Sequence, residues 1–435
     1  MKRLHTTQSD FEADFAALLE ARTGVETSVT EPVRDIIADI RQRGDDALRD
    51  YTARFDRLTL SPDKIRIGAD EIAREADRVD ADLMEVLNVA AQRIEVFHAQ
   101  QLPKNLEYTD DAGLTLGMRW TALDAVGLYV PGGKAAYPSS VLMNALPAKV
   151  AGVERIAMCV PCPDGVLNPL VLAAARVCGV TEIYRVGGAQ AVAALAYGTN
   201  AIAPVDRIVG PGNAYVAEAK RQVFGHVGID SIAGPSEVLV VADAENNPRF
   251  VALDLLAQAE HDELAQAVLI TNDSAFADKI AAAVEEELKT LPRAAIAARS
   301  WADHGAIIVV RDWDEAAAIA NRLAPEHLEV MLNAPEDFAA KVRHAGAMFL
   351  GRFCPEAVGD YVGGPNHVLP TSRTARFASG LSVFDFLKRT TSIATGPDGL
   401  RRVGPAGVAL ARAEGLGAHA LSLSARLDEL GWNER

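Results

Sequence analysis

The sequence has few cysteines and a deficit of positive charge. Its 435 residues contain four cysteines, too few to form a disulfide framework in a chain of this length. Its 43 lysines and arginines are outnumbered by 59 aspartates and glutamates, so the formal net charge is −16. No run of basic residues offsets that field, and nucleic acid and anionic lipid are therefore not expected as partners.

Long apolar segments are also scarce. The first 20 residues, MKRLHTTQSDFEADFAALLE, contain basic residues but lack the apolar core of a secretory signal. The uncharged stretch 186–205 is long enough to span a bilayer, but its glycines, Gln190 and Pro204 favour a buried helix flanked by turns. We therefore expect no membrane segment and a cytoplasmic protein whose partner is a small molecule.

The apolar pattern predicts an α/β fold. Phe11, Phe15, Leu18 and Leu19 recur at helical spacing, and further amphipathic runs follow within the first hundred residues. From about Val126 onward, short β-rich runs alternate with helical runs. This alternation predicts parallel sheets with helices on both faces.

The alternation runs through two cycles, the second opening at EVLVVAD from residue 237. We expect two incomplete Rossmann-like parallel-sheet modules with helical N- and C-terminal extensions. The expected segments are a helical N-terminal region at 1–100, a first α/β module at 101–236, a second α/β module at 237–380 and a helical tail at 381–435.

Gln258 and His261 lie three residues apart at the end of a predicted helix, in the segment QAEHDE. This spacing places both side chains on one helix face. Imidazole is the commonest zinc ligand, and an amide oxygen is a weaker one. A polar helix end without a metal is the alternative.

Glu326 and His327 are adjacent, in the segment APEHL. They follow a predicted helix and precede an apolar run, where α/β folds place functional loops. Carboxylate and imidazole are well suited to moving protons near neutral pH. An exposed turn with two solvated side chains is the alternative.

Two further motifs contain histidine. The segment GDYVGGPNH from residue 359 has glycines around Asp360 and His367, which suits a loop close to a metal or substrate, or a plain turn. The tail contains Glu414 and His419 in EGLGAH, which taken alone are ordinary surface residues.

Glycine-rich turns follow predicted strands at 131–133, 187–190 and 210–213. Two of them lead into predicted helices, whose N-termini suit phosphate groups. None has the G-x-G-x-x-G pattern, so the common dinucleotide fingerprint is absent. Ordinary strand-to-helix turns are the alternative.

The cysteines give no clear functional signal. Cys159 and Cys162 have C-x-x-C spacing without a second pair at zinc-site spacing, and we interpret them as structural. Cys354 lies near the Asp360 loop but has no evident base partner, so a structural role is favoured there too.

Together these segments resemble the histidinol dehydrogenase family. The most specific match is IDSIAGPSEVLVVAD from residue 229, continuing through the next helix to His261. Segments 324–329, 359–371 and 414–419 also match, and the resemblance covers nearly the whole chain. It implies a zinc- and NAD-dependent enzyme, with one zinc per subunit, that oxidises L-histidinol through L-histidinal to L-histidine with two NAD⁺. This is the last step of histidine biosynthesis.

The resemblance also implies roles for individual residues. The implied zinc ligands are Gln258, His261, Asp360 and His419. The implied acid–base pair is Glu326 and His327. The implied substrate contacts are Ser236, Gln258, His261, His327, Asp360, His367, Glu414 and His419. The implied NAD contacts are Tyr129, Gln190 and Asn213. Family members are homodimers with intertwined tails, so His419 is expected to reach the partner's zinc.

The residue chemistry fits these roles. Two hydride transfers need one base for the alcohol proton and another to activate water on the aldehyde, which His327 and Glu326 can divide between them. Two other classes stay open: a zinc hydrolase using Glu326 to activate water, and a non-catalytic α/β oligomer. Formation of NADH from NAD and histidinol would distinguish a histidinol dehydrogenase from both of these classes.

Overall fold

A computed structural model describes residues 1–20, 29–132, 137–232 and 234–432. The chain forms two compact units. The larger unit comprises Met1–Gln101 and Asp124–Phe386, and the smaller comprises Leu102–Leu123 and Leu387–Arg435. The four segments expected from the sequence have different bounds, and that division stays a prediction.

Helices and strands alternate through most of the chain. In its first half the elements are β1 (Lys2–His5), α1 (Phe11–Glu20), α2 (Thr30–Arg43), α3 (Asp45–Phe55), α4 (Ala69–Ala76), α5 (Ala81–Ala99), β2 (Leu106–Thr109), β3 (Leu114–Ala122), β4 (Ala125–Tyr129), α6 (Pro138–Ala151), β5 (Arg155–Cys159), α7 (Pro169–Cys178), β6 (Glu182–Tyr184), α8 (Gly188–Tyr197), β7 (Arg207–Val209), α9 (Ala214–Val223) and β8 (Gly228–Ile229). In its second half they are β9 (Glu237–Ala242), α10 (Pro248–Ala259), β10 (Gln266–Thr271), α11 (Ser274–Glu287), α12 (Ala294–His304), β11 (Ala306–Val309), α13 (Trp313–Leu323), β12 (His327–Met331), α14 (Pro335–Ala339), β13 (Ala347–Leu350), α15 (Glu356–Tyr361), β14 (Leu387–Thr395), α16 (Pro397–Ala413) and α17 (Gly417–Glu429). Short 3-10 helices occupy Pro62–Lys64, Pro163–Gly165, Thr374–Arg376 and Val383–Phe386.

The larger unit contains a five-stranded parallel sheet in the order β6-β5-β4-β7-β8. Apolar residues of α2, α8 and α9 share one core cluster with this sheet. Helix α8 is buried along most of its length, because its small apolar residues pack closely. The uncharged stretch at 186–205 is therefore built around a core helix, as its turn residues predict.

The larger unit also contains a six-stranded parallel sheet in the order β1-β11-β10-β9-β12-β13. Successive residues of β9 enter different cores: Leu239 and Val241 belong to one cluster, Val238 and Val240 to another. Because side chains alternate across a strand, the sheet is buried on both faces. The two parallel sheets confirm the α/β fold class.

Several helices of the larger unit begin at a side-chain cap. An Asn or Asp oxygen accepts a hydrogen bond from a backbone N–H of the first turn, which stabilises a helix N-terminus. These caps are Asn168, Asn213, Asn247, Asp273 and Asp312.

The smaller unit has an antiparallel sheet in the order β14-β3-β2 and two packed helices, α16 and α17. Val408, Ala411, Ala420 and Leu427 form its helical core.

Two strands lie where the sequence pattern predicts helix. β1 lies in the first hundred residues and pairs with β11, and β14 opens the expected helical tail. The segment LKRTTSIAT of β14 is rich in β-branched residues, which favour strands when a partner strand is present. Among the described residues, no helix is both long and apolar enough to cross a membrane.

Candidate active site

Glu326 and His327 lie at the amino-terminal edge of the six-stranded sheet. His327 is the first residue of β12, paired with Val238 of β9. Both side chains are buried, with Glu326 5% and His327 4% exposed. The pair is therefore enclosed within the larger unit, and the alternative of an exposed turn is wrong.

A single residue of β9 orients both side chains. The backbone N–H of Glu237 donates to Glu326 Oε2 at 2.9 Å. Its carbonyl oxygen lies 3.1 Å from His327 Nδ1. Since a carbonyl only accepts, Nδ1 carries the proton and Nε2 has the free lone pair.

His327 is a neutral imidazole in this arrangement. Burial lowers the pKa of His327 to about 4, with His261 and His367 adding to the decrease and Asp360 opposing it. Its Nε2 has no hydrogen-bond partner among the described residues and lies 3.8 Å from Asp360 Oδ1. A buried lone pair of this kind can accept a proton or bind a metal ion.

Helix α15 adds two carboxylates, Glu356 and Asp360, one helical turn apart. One ligand atom each from His327, Glu356 and Asp360 lie within 4.8 Å of one another, a group that could hold a metal ion. Glu356 was not among the residues selected from the sequence. Its spacing of four from Asp360 on one helix face is the signal that could have identified it.

More acidic groups lie behind Glu356. Its backbone N–H donates to Glu329 Oε1 at 2.6 Å, and Glu329 shares a side-chain hydrogen bond with Asp254. Burial and mutual repulsion raise the pKa of Glu356 and of Glu329 well above the ordinary range. Burial raises the pKa of Asp254 to about 6.

This cluster fits a divalent cation. In the described part of the chain, no lysine or arginine forms an ion pair with Glu356, Asp360 or Glu329. Buried carboxylates that repel one another are stabilised in their charged form by a metal ion. Nε2 of His327 lies beside this cluster, 3.8 Å from Asp360 Oδ1, where it can accept a proton from a bound substrate.

Gln258 and His261 flank the cluster at the end of α10. Gln258 is fully buried, and its amide is assigned the orientation in which the nitrogen donates to both carboxylate oxygens of Glu356, at 2.6 and 3.2 Å, because in the opposite orientation the amide oxygen would face only acceptors. The amide oxygen therefore points away from Glu356. His261 is exposed, and its Nδ1 donates to the Ala257 carbonyl at 3.0 Å, which leaves Nε2 free for a ligand.

His367 lies beside Asp360. Its Nδ1 donates to the Asp360 carbonyl at 3.0 Å, so its Nε2 is also the free nitrogen. Asn366 holds this loop by donating to the Met143 carbonyl at 2.6 Å. Ser236 directly precedes β9 and is partly exposed. The structure therefore brings His367 to the acidic cluster and Ser236 to the same edge of the sheet.

Glu414 and His419 belong to the smaller unit. Glu414 follows α16, His419 is on α17, and both are exposed. Their implied roles in substrate and zinc binding stay predictions.

Tyr129, Gln190 and Asn213 lie at the carboxyl-terminal edge of the five-stranded sheet. The hydroxyl of Tyr129, at the end of β4, accepts from the N–H of Gly188 at 3.1 Å, and burial raises its pKa to about 12. Gln190 on α8 is 1% exposed, and its Oε1 has no partner among the described residues. Asn213 caps α9. Gly133 of the first glycine turn lies outside the described residues.

The C-x-x-C pair is buried. Burial raises the pKa of Cys159 and brings that of Cys162 to about 12, so both are thiols at neutral pH. Reactivity requires an accessible thiolate, which favours the structural interpretation.

Comparison with known proteins gives one consistent family. The family model for histidinol dehydrogenase matches residues 20–427. A histidinol dehydrogenase from Gluconobacter oxydans is 76% identical over 429 residues, which cover 99% of this chain and 100% of that protein. One from Rhodospirillum rubrum is 61% identical over 431 residues, 99% of each chain. A crystal structure of histidinol dehydrogenase from Elizabethkingia anophelis superposes with a TM-score of 0.94 at 36% identity, covering 99% of both chains.

Proposed function

The chain belongs to the histidinol dehydrogenase family of NAD-dependent oxidoreductases, which catalyse the last step of histidine biosynthesis, and we propose that its chemistry takes place around Glu326 and His327. In this proposal L-histidinol is oxidised through L-histidinal to L-histidine with two NAD⁺. The observation that carries the proposal is that Glu237 holds both side chains: its N–H donates to Glu326, and its carbonyl accepts from Nδ1 of His327. Nε2 of His327 then lies beside Asp360 with no hydrogen-bond partner among the described residues.

His327 acts as base for the alcohol. Its Nε2 accepts the hydroxyl proton of histidinol while the first hydride passes to NAD⁺, giving the aldehyde and NADH. The Nδ1–H bond to the Glu237 carbonyl holds the ring and disperses the positive charge that develops on it.

Glu326 acts on the water for the second half of the reaction. Its carboxylate accepts a proton from water as the oxygen adds to the aldehyde carbon, and His327, protonated in the first half, returns its proton to the aldehyde oxygen to give the hydrate. Neutral His327 then accepts a proton of the hydrate during the second hydride transfer. The N–H of Glu237 donates to one oxygen of Glu326 and so holds the carboxylate at the start of β12.

Zinc fits the acidic cluster, and Gln258, His261 and Asp360 would hold it together with His419. Bound there, it would fix the imidazole and amino nitrogens of histidinol as a template. Glu356 holds the Gln258 amide so that its oxygen is presented rather than its nitrogen. We assign further substrate contacts to Ser236, His367 and Glu414.

The carboxyl-terminal edge of the five-stranded sheet is the proposed NAD site. Tyr129, Gln190 and Asn213 contact the cofactor, and the N-terminus of α9 provides backbone N–H groups for its phosphates. The segments 101–236 and 237–380 then correspond to a cofactor module and a chemistry module. The helical regions 1–100 and 381–435 serve the dimer.

The decisive test of the activity is NADH yield. Zinc-loaded protein given limiting histidinol and excess NAD is expected to form two NADH per histidinol. Metal-loaded protein that forms no NADH contradicts the proposal, and hydrolysis without NADH would favour the zinc hydrolase.

The proposed active site includes His419 from the partner subunit of a homodimer. Asp360→Ala chains mixed with His419→Ala chains are expected to recover activity, because one of the two sites in a mixed dimer has both residues intact. Each variant alone is the control. Mixtures that stay inactive would show that each site is built within one chain.

A further inference from the structure

A buried ion pair between Lys220 and Asp230 lies under the 210–213 turn. Lys220 on α9 is 2% exposed, and the Asp230 side chain just after β8 is 5% exposed. Removing two charges from water is costly even when they pair, and an apolar pair of similar size is often at least as stable. The pair therefore needs an explanation other than stability.

The ion pair holds both backbone polar groups of Gly210. Lys220 Nζ donates to the Gly210 carbonyl at 3.1 Å, and the Gly210 N–H donates to Asp230 Oδ2 at 2.7 Å. Gly210 has a φ of +115°, and an added Cβ would lie 2.1 Å from the Tyr129 carbonyl oxygen. The turn is thus fixed from one side by the ion pair and from the other by β4.

All three proposed NAD contacts lie on elements joined at this point. Asn213 begins α9, the helix that carries Lys220. The Tyr129 backbone contacts Gly210, while its hydroxyl accepts from Gly188 at the start of α8, the helix of Gln190. A shift of Gly210 would therefore move the start of α9 relative to Tyr129.

We infer that Lys220 and Asp230 are positioning residues that hold the 210–213 turn in the shape that binds NAD. The inference rests on the proposed NAD site. Lys220 is enclosed and neutralised by Asp230, so it acts through the geometry of the turn and not through its charge on the cofactor. Its loss should weaken NAD binding and leave zinc binding and the KM for histidinol unchanged.

The test uses Lys220→Met and the double variant Lys220→Met/Asp230→Leu in the zinc-loaded, full-length protein. Lys220→Met leaves a buried carboxylate unpaired and should lower both thermal stability and NAD affinity. The double variant removes both charges and should regain stability, because the site is then apolar. Its dissociation constant for NAD should still be raised about tenfold or more, because the turn has lost both anchors.

Asp230→Asn is the conservative variant. It keeps an oxygen for the Gly210 N–H and removes the charge, so its NAD affinity should fall between those of the wild type and the double variant. This variant also covers the case in which the double variant does not fold.

Arg155→Met is the matched structural control. Arg155 pairs with Glu182 at 2.6 Å at the amino-terminal ends of β5 and β6, the opposite edge of the same sheet. The Arg155→Met substitution should lower the melting temperature without changing NAD affinity.

Asn213→Ala distinguishes failure of the positioning role from failure of the proposed NAD site. If it weakens NAD binding while the double variant and Asp230→Asn bind NAD like the wild type, the positioning role is wrong. If Asn213→Ala also leaves NAD binding unchanged, the proposed cofactor site is wrong and the positioning role fails with it.

Discussion

The two parallel sheets of the larger unit present their polar residues at opposite edges. In the five-stranded sheet, the proposed NAD residues lie where β4, β6 and β7 end. In the six-stranded sheet, Glu326, His327 and Glu237 lie where β9 and β12 begin. The rule that α/β sheets bind ligands at their carboxyl ends fits the proposed NAD site on the first sheet but not the proposed catalytic pair on the second.

The difference follows from which backbone groups are free. At the carboxyl edge, strands lead into helices whose N-terminal N–H groups suit phosphates. At the amino edge, the backbone N–H and carbonyl of Glu237, the first residue of β9, contact and orient Glu326 and His327. One edge therefore suits an anionic cofactor, and the other suits a fixed acid–base pair.

The largest expected effect comes from His327→Asn at the amino edge. Loss of the base should lower kcat by about 10²–10⁴-fold for histidinol, while the dissociation constant for NAD stays unchanged. Steady-state kinetics and equilibrium NAD binding measure the two quantities. His304→Asn, on α12, is the control and should retain activity.

Glu326→Gln separates the two halves of the reaction. Oxidation of histidinal should slow by about 10²-fold, because water is no longer activated, and oxidation of histidinol should slow less. Single-turnover NADH formation from each substrate measures this difference. Equal losses in both halves would contradict the proposed division between Glu326 and His327.

Glu356→Gln tests whether Glu356 orients Gln258 as a ligand of the proposed metal site. The Gln258 amide loses a charged acceptor, and zinc affinity should fall by about 10–100-fold. Chelator competition and metal analysis measure it without reference to activity. Glu285→Gln, at an exposed position on α11, should bind zinc normally. Unchanged zinc affinity in the Glu356 variant would show that Glu356 does not contribute to the metal site.

Asn213→Ala at the carboxyl edge should have the smallest effect. It removes the cap of α9, which costs about 1 kcal/mol of stability, and it should raise the KM for NAD several-fold. Zinc content and the KM for histidinol should not change. A parallel loss of zinc would show that the two edges are not independent.

The sequence predicted the elements that depend on local pattern. Helices α8, α9 and α10 follow from apolar spacing, and β9 and β10 from runs buried on both faces. Strand β1 could not be predicted in the same way, because it is stabilised by pairing with β11 some 300 residues away. Long-range pairing leaves little trace in a short segment.

The same distinction applies to the site. The neighbours Glu326 and His327 could be selected because both residues lie in one short segment. Glu356 lies four residues from Asp360 and could have been selected from that spacing, but its contact with Gln258 forms only in the fold. The resemblance to a known family supplied the roles of residues that no local pattern could connect.

The most direct test of the two-edge account is the dissociation constant for NAD of the zinc-loaded His327→Asn variant. The account predicts the wild-type value, because the proposed cofactor site is built on the other sheet. NAD affinity that falls together with kcat would contradict it.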